Sequence, residues 1–212
     1  MFPESLDLPV KPAPAENTGH MEVEIKLPVA DLAAALERIR EAGYRETAAR
    51  SFESNVLFDT DDQALRRNQQ ALRLREYGGQ TILTLKGKPQ EGRHKQREEL
   101  ETQVGSGAVI TLLLERLGYK PVFRYEKYRH VYAREGEPGL ITVDETPLGP
   151  YLELEGDSDW IDRTATQLGF GPDDYITAPY AAIYLEYCRT TGIEPAHFVF
   201  PAADAETPDA NG

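Results

Sequence analysis

The chain has 212 residues, 40% of them hydrophobic and 28% charged, which fits one sizeable globular domain or at most two small ones. Its formal net charge of −13 repels nucleic-acid backbone and anionic membrane. No lysine/arginine run offsets that charge, and no apolar stretch approaches the ~20 residues of a membrane span.

Residues 1–20 carry Pro3, Pro9, Pro12 and Pro14 and little apolar content. They lack the basic start and apolar centre of a secretory signal and read as a disordered tail. The single cysteine, Cys188, excludes an intrachain disulfide, and a cytoplasmic location is expected. Residues 21–190 read as one domain. Residues 191–212 read as a largely disordered C-terminal tail, rich in Ala, Asp and Pro from 201 onward.

Strands are predicted at 21–28, 53–59, 70–77, 80–87, 95–104, 122–134, 139–145 and 150–156. Gly78-Gly79 makes a tight hairpin turn between the third and fourth. Helices are predicted from Leu32 to Ala42 behind an Asp31 cap, from Ser106 or Gly107 to Leu117, and after a Ser158 cap through Leu168. A last one starts at Pro179 and runs to about Thr190. The first three end in Gly43-Tyr44, Gly118-Tyr119 and Gly169-Phe170, a glycine stop followed by an aromatic that folds back. Many antiparallel strands with a few helices define an α+β class.

Successive side chains of a strand point to opposite faces, so alternate residues share one. Glu22, Glu24 and Lys26 then share a face, opposite Met21, Val23, Ile25 and Leu27. The pattern repeats with Arg73 and Arg75, with Lys86, with Arg97, Glu99 and Glu101, and with Tyr125, Lys127 and Arg129. It closes with Asp144 and with Glu153 and Glu155. A solvated sheet face is one reading. The other is a barrel closed around a polar lumen, with helices over its apolar outside. Mixed charge in such a lumen must be paired or liganded. A polyphosphate would neutralise the bases and a hard cation the carboxylates.

These segments resemble the CYTH superfamily, the triphosphate tunnel metalloenzymes. Glu22-Val-Glu24-Ile-Lys26 is similar to the E-x-E-x-K signature. Asn55-Val-Leu-Phe58-Asp59-Thr60, Ala71-Leu-Arg73-Leu-Arg75 and Leu83-Thr-Leu-Lys86-Gly87 follow in the family's order. Arg97-Glu-Glu99-Leu-Glu101, Lys127-Tyr-Arg129 and the closing Asp144 and Leu148 to Gly156 segments come after them. Leu57 departs from the tyrosine of many members.

The resemblance implies an eight-stranded antiparallel β-barrel, the triphosphate tunnel, with outer helices. It implies a small-molecule triphosphate substrate and Mg²⁺ or Mn²⁺ as cofactor. The net charge of −13 argues for no nucleic-acid or membrane partner, and a homodimer stays open. Carried over residue by residue, Lys26, Arg73, Arg75, Lys86, Arg97, Lys127 and Arg129 would bind the triphosphate. Among these, Lys26, Lys86 and Arg129 are the candidate catalytic groups. Glu22, Glu24, Asp144, Glu153 and Glu155 would bind metal, and Glu99 and Glu101 would bind metal or orient the bases. The branch that looks closest is the class IV adenylate cyclases, with thiamine or inorganic triphosphatase as the alternative. A non-catalytic phosphate-binding module would lack metal carboxylates, and none is missing. Outside the pattern, His94 and His130 are expected to be solvated, and His197 to have no role. Cys188, Trp160 and the Tyr180, Tyr184, Tyr187 series are expected to pack in the core.

Overall fold

The computed structural model describes residues 19–201; the remainder of the two predicted tails lies outside the described residues. Eight antiparallel strands form a closed barrel in the spatial order β1-β5-β4-β3-β2-β6-β7-β8. In chain order they are β1 (His20–Pro28), β2 (Arg45–Asp59), β3 (Ala71–Tyr77), β4 (Gln80–Lys86), β5 (Lys95–Val104), β6 (Lys120–Ala133), β7 (Leu140–Thr146) and β8 (Gly149–Glu155). Gly78 and Gly79 both take positive φ, 56° and 74°, as the two-residue β3–β4 hairpin requires. β1 closes the barrel by pairing with β8 through Lys26–Glu153 and with β5 through Glu22–Arg97.

The helices are α1 (Leu32–Glu41), α2 (Ala64–Arg67), α3 (Gly107–Arg116), α4 (Ser158–Gln167) and α5 (Tyr180–Thr191). Asp31 caps α1 through a bond from Ala34 N, and Ser106 caps α3 through Val109 N. The cap of α4 is Asp157, not Ser158: its carboxylate accepts from Trp160 N at 2.8 Å and leaves Ser158 as the first helical residue. Tyr44, Tyr119 and Phe170 each donate a backbone bond to the carbonyl five residues back, across a glycine at φ 86–90°. This is the expected fold-back stop.

The apolar strand faces turn outward and are covered unequally. On the β1-β8-β7 side, Ile25, Leu27, Val143, Leu152 and Leu154 pack beneath α1 and α4 with Ile39, Trp160 and Ile161. The indole lies so close that a Cβ on Gly139 would stand 2.4 Å from its ring. On the opposite side α3 sends only Leu114 into full burial, over Phe58 and Leu74. Its outer face leaves Val109, Leu112 and Leu113 more than half exposed.

Three features differ from the sequence reading. β2 begins at Arg45, not 53, because register shifts near Glu46, Ala48 and Ser51 break the two-residue period there. Helix α2 has four residues, too few to show a period. Within residues 192–201, read as part of the tail, the chain docks on the barrel: Phe198 is buried against Tyr125 and Tyr180, and its backbone pairs with Arg124 and Glu126.

Candidate functional site

Alternation along every strand carries the charged residues inward, and closure of the sheet brings them within ion-pair distance. The lumen is lined by Glu22, Glu24, Lys26, Arg73, Arg75, Lys86, Arg97, Glu99, Glu101, Lys127, Arg129, Glu153 and Glu155. Asp144, fully buried, lies behind Lys127 and Arg129. The solvated-face reading therefore fails: the sheet's wet-looking face is its inside.

The charges are interlocked. Lys26 lies 3.1 Å from both Glu24 and Glu153. Lys86 and Arg97 approach Glu22 at 3.1 and 3.4 Å, and Lys86 also pairs with Glu99. Asp144 takes Lys127 at 2.7 Å and Arg129 at 2.6 Å, and Arg129 reaches on to Glu153. Arg73 donates to Tyr125 Oη and to Thr84 Oγ1, which in turn donates to Glu101.

Burial by itself raises a carboxyl pKa and lowers an ammonium pKa, so the partners decide the outcome. At Glu24, Lys26 and Lys95 outweigh burial and hold the carboxyl well below the usual range. At Glu153, Lys127, Lys26 and Arg129 do the same. Glu99 falls to about 2, against its burial, under its bond to Glu22 and the charges of Lys86 and Arg73. Glu22 goes the other way, raised by burial and the neighbouring Glu24.

The structure adds four groups that the sequence reading left out. Glu53, fully buried on β2, faces Arg75 at 3.6 Å and Lys127 at 3.5 Å. Despite its burial, Arg75, Lys127 and Arg129 hold its carboxyl far below the usual range. Asn55, two residues on, donates to Glu53 at 2.9 Å. Lys95 sits 2.5 Å from Glu24, and burial pulls its ammonium down to about 8 although Glu24 opposes the shift. A signal for it existed: Lys95 has the same strand parity as Arg97, Glu99 and Glu101.

Tyr180 is the fourth and a correction, because it does not simply pack in the core. From the first residue of α5 its ring lies 5.1 Å from Lys26 Nζ and 5.0 Å from Lys127 Nζ, and its hydroxyl donates to Asp144 at 2.9 Å. Burial first, then Asp144 and Glu153, raises its pKa well above that of a free phenol.

Other expectations divide. Cys188 and Trp160 are buried as expected, and Tyr187 is exposed. His130 stays outside the barrel, but it is only partly exposed, held between Glu46 and Glu145. His94 is not solvated: it is buried, bonded to Asp162 at 2.8 Å beside Tyr175, which ties the β4–β5 loop to α4. His197 accepts the backbone N–H of Arg124 at 3.2 Å and so helps dock the segment after α5.

The donor chemistry fits both an anion and a hard cation. Arg73 Nε and Arg75 Nε are buried donors without a hydrogen-bond acceptor; Glu53 Oε2 and Asn55 Oδ1 are buried acceptors without a donor. In native structures such atoms are normally satisfied, by water or a ligand where protein does not reach. Glu24 and Glu155 stand directly opposite on β1 and β8, a like-charge pair that a cation relieves. Among the described residues no three acidic or histidine side chains converge as a ready-made cage, since most lumenal carboxylates are turned toward lysines and arginines.

Comparison with known proteins agrees with this geometry. The family model described as the CYTH domain matches residues 20–168. A protein of Methanocaldococcus jannaschii named "Putative adenylate cyclase MJ0240" is 30% identical over 135 residues, which cover 64% of this chain and 76% of that one. The PH1819 protein of Pyrococcus horikoshii superposes with a TM-score of 0.68 at 25% identity, covering 78% of this chain and 99% of that one. The Hippeastrum protein HpAC1, described as revealing a dominant triphosphatase activity, shares the fold with a TM-score of 0.61 at 18% identity, covering 79% and 95%.

Proposed function

The chain belongs to the CYTH domain family, and from that premise we propose that it is a metal-dependent enzyme acting on a triphosphate, a class IV adenylate cyclase-like protein that converts ATP into cyclic AMP and pyrophosphate. The observation that carries this reading is the pair of buried guanidinium groups, Arg73 and Arg75, with unused donors in a closed tunnel also lined by opposed carboxylates.

Phosphoryl transfer asks a protein mainly for positioning and charge stabilisation. Arg73 and Arg75 give directional contacts to phosphate oxygens, while Lys127 and Arg97 add positive charge along the wall. Lys26, Lys86 and Arg129 are the groups assigned to the reacting phosphoryl group. Each is shared between two carboxylates. Glu22, Glu24, Glu153 and Glu155, with Asp144, Glu99 and Glu101 nearby, would hold Mg²⁺ or Mn²⁺. When bound, such an ion polarises phosphoryl oxygens and neutralises developing charge. In the cyclase reaction the ribose 3′-hydroxyl attacks the α-phosphorus and the bond to pyrophosphate breaks. A tunnel that excludes bulk water favours a bound hydroxyl over free water.

Hydrolysis of the terminal phosphate is the second reading, since the same charges serve it and the Hippeastrum protein is described by that activity. Chromatography of products from Mg-ATP, Mn-ATP, thiamine triphosphate and inorganic triphosphate tests both. Cyclic AMP with pyrophosphate is expected. ADP and orthophosphate without cyclic AMP, from neutral to alkaline pH, would replace the cyclase with a triphosphatase.

A further inference from the structure

Lys95 stands at a boundary. The tunnel, with a free space of only about 90 Å³, meets a groove of about 890 Å³, and Lys95 lines both. The groove is walled by the end of β2, helix α2, the β4–β5 loop and the first turn of α5. Lys95 is the first residue of β5, and its four-carbon stem reaches inward to Glu24.

Strand register sets its surroundings. Lys95 lies directly opposite Glu24 on β1, and Glu24 lies directly opposite Glu155 on β8. All three side chains line the tunnel. The row therefore runs cation, carboxylate, carboxylate. Two opposed carboxylates in a confined space need a counter-charge. Lys95 supplies one, with Nζ 2.5 Å from Glu24 Oε1.

The ammonium is held there against resistance. It is buried, and Lys26, Arg97 and Lys86 all act against its charge, while Glu24 acts for it. Lys26, the other base on Glu24, is placed differently. It lies 3.1 Å from Glu153 as well, and keeps that partner if Glu24 is taken from it. The backbone before Lys95 is tied down, because His94 is bonded to Asp162 at 2.8 Å. The motion open to Lys95 is rotation of its own flexible stem, and the groove beside it has the room.

We propose that Lys95 is an internal stand-in for the divalent cation: it holds Glu24 in the cation-free protein, gives that carboxylate up when the cation binds to Glu24 and Glu155, and swings to the tunnel mouth. The inference rests on the reading of these carboxylates as the metal site. One ammonium–carboxylate pair is exchanged for a metal–carboxylate contact, and a positive group is released where a phosphate chain enters. Cation and triphosphate binding then reinforce each other through a single side chain.

Two measurements on the full chain, neither requiring turnover, test this. Binding of Mn²⁺ without nucleotide is read by electron paramagnetic resonance on the unaltered protein and on Lys95→Met, which keeps a long stem and drops the charge. Lys95→Met should bind Mn²⁺ about tenfold more tightly. Acetylation by acetic anhydride, read by peptide mass spectrometry on the unaltered protein, should rise severalfold at Lys95 when Mn²⁺ is added and stay unchanged at Lys26. The second readout separates displacement from a field effect, since deleting any nearby positive charge favours a cation without moving Lys95. If Mn²⁺ binds Lys95→Met no more tightly than the unaltered protein, or if Lys95 stays protected with Mn²⁺ bound, the stand-in role is overturned and the metal assignment stands. If Mn²⁺ binds neither protein, the metal assignment fails and this inference fails with it.

Discussion

The tunnel and the groove that meets it are opposite kinds of site. The tunnel is a sheet closed on itself, tight and crowded with interlocked charges, and it keeps a few buried donors and acceptors unmatched. The groove is roomy and apolar, and it is assembled from a strand end, a four-residue helix, a loop and the start of α5. The two spaces meet at Lys95, Arg97 and Pro179, and the proposed triphosphate reading would divide the work between them there. A triphosphate is the same in every nucleotide or thiamine ester, so a fixed charge lattice can hold it. The organic group differs, and a space walled by turns and helix ends can be reshaped without disturbing barrel closure.

If that division holds, changes in the tunnel should dominate everything else. The largest effect is expected from Glu24→Gln or Glu155→Gln. Either removes one of the two opposed carboxylates and should abolish turnover; thermal unfolding should show the folded state retained in both, with Glu24→Gln melting lower because Lys26 and Lys95 lose a buried partner. Initial rates at saturating Mn²⁺ check this, and full activity in both variants would end the metal assignment.

Next comes Glu53→Gln. Removing a fully buried carboxylate leaves Arg75 and Lys127 short of a partner and should destabilise the protein by about 3–5 kcal/mol. The folded-state pKa of Glu53 is depressed, so its stabilising effect is complete above the ordinary glutamate pKa and is lost as pH falls. Urea unfolding of both proteins should therefore show the gap closing on acidification below about pH 4.5. A gap that stayed constant, or widened, would show that Glu53 is not ionised in the folded tunnel.

A smaller loss is expected from Arg73→Ala. Deleting one charge-assisted contact should weaken inorganic triphosphate binding by about 1.5–3 kcal/mol, read by calorimetry. Unchanged affinity would place the phosphates elsewhere. The smallest effect sharpens the boundary between the regions. Tyr180→Phe removes one bond to an Asp144 still held by Lys127 and Arg129, so stability should fall by only about 0.5–1.5 kcal/mol. A loss several times larger would make Tyr180 a keystone of the tunnel wall.

The tunnel was legible in the chain because strand geometry converts alternation into facing. Glu22-Val-Glu24-Ile-Lys26 and Leu72-Arg73-Leu74-Arg75 each declare an inner and an outer side with no knowledge of their neighbours. Lys95 follows the same parity but begins its strand directly after a Gly-Arg-His turn, where the period has only just started. Glu53 and Asn55 also alternate, yet Ser54 interrupts the apolar face opposite them and Leu57 continues their own face with an apolar residue, which hid which face carries the charge.

What the sequence determined by itself was therefore the set of strands, their inner charged faces, the glycine stops of three helices and the family signature. All of these are properties of neighbours along the chain. Which carboxylate meets which cation, the entry of Tyr180 into the lumen, the docking of Phe198 and the groove itself were decided only by tertiary structure. They join residues far apart in sequence, such as Leu57 with Ala181 or Asp144 with Tyr180, and a local period carries no information about a partner on another element.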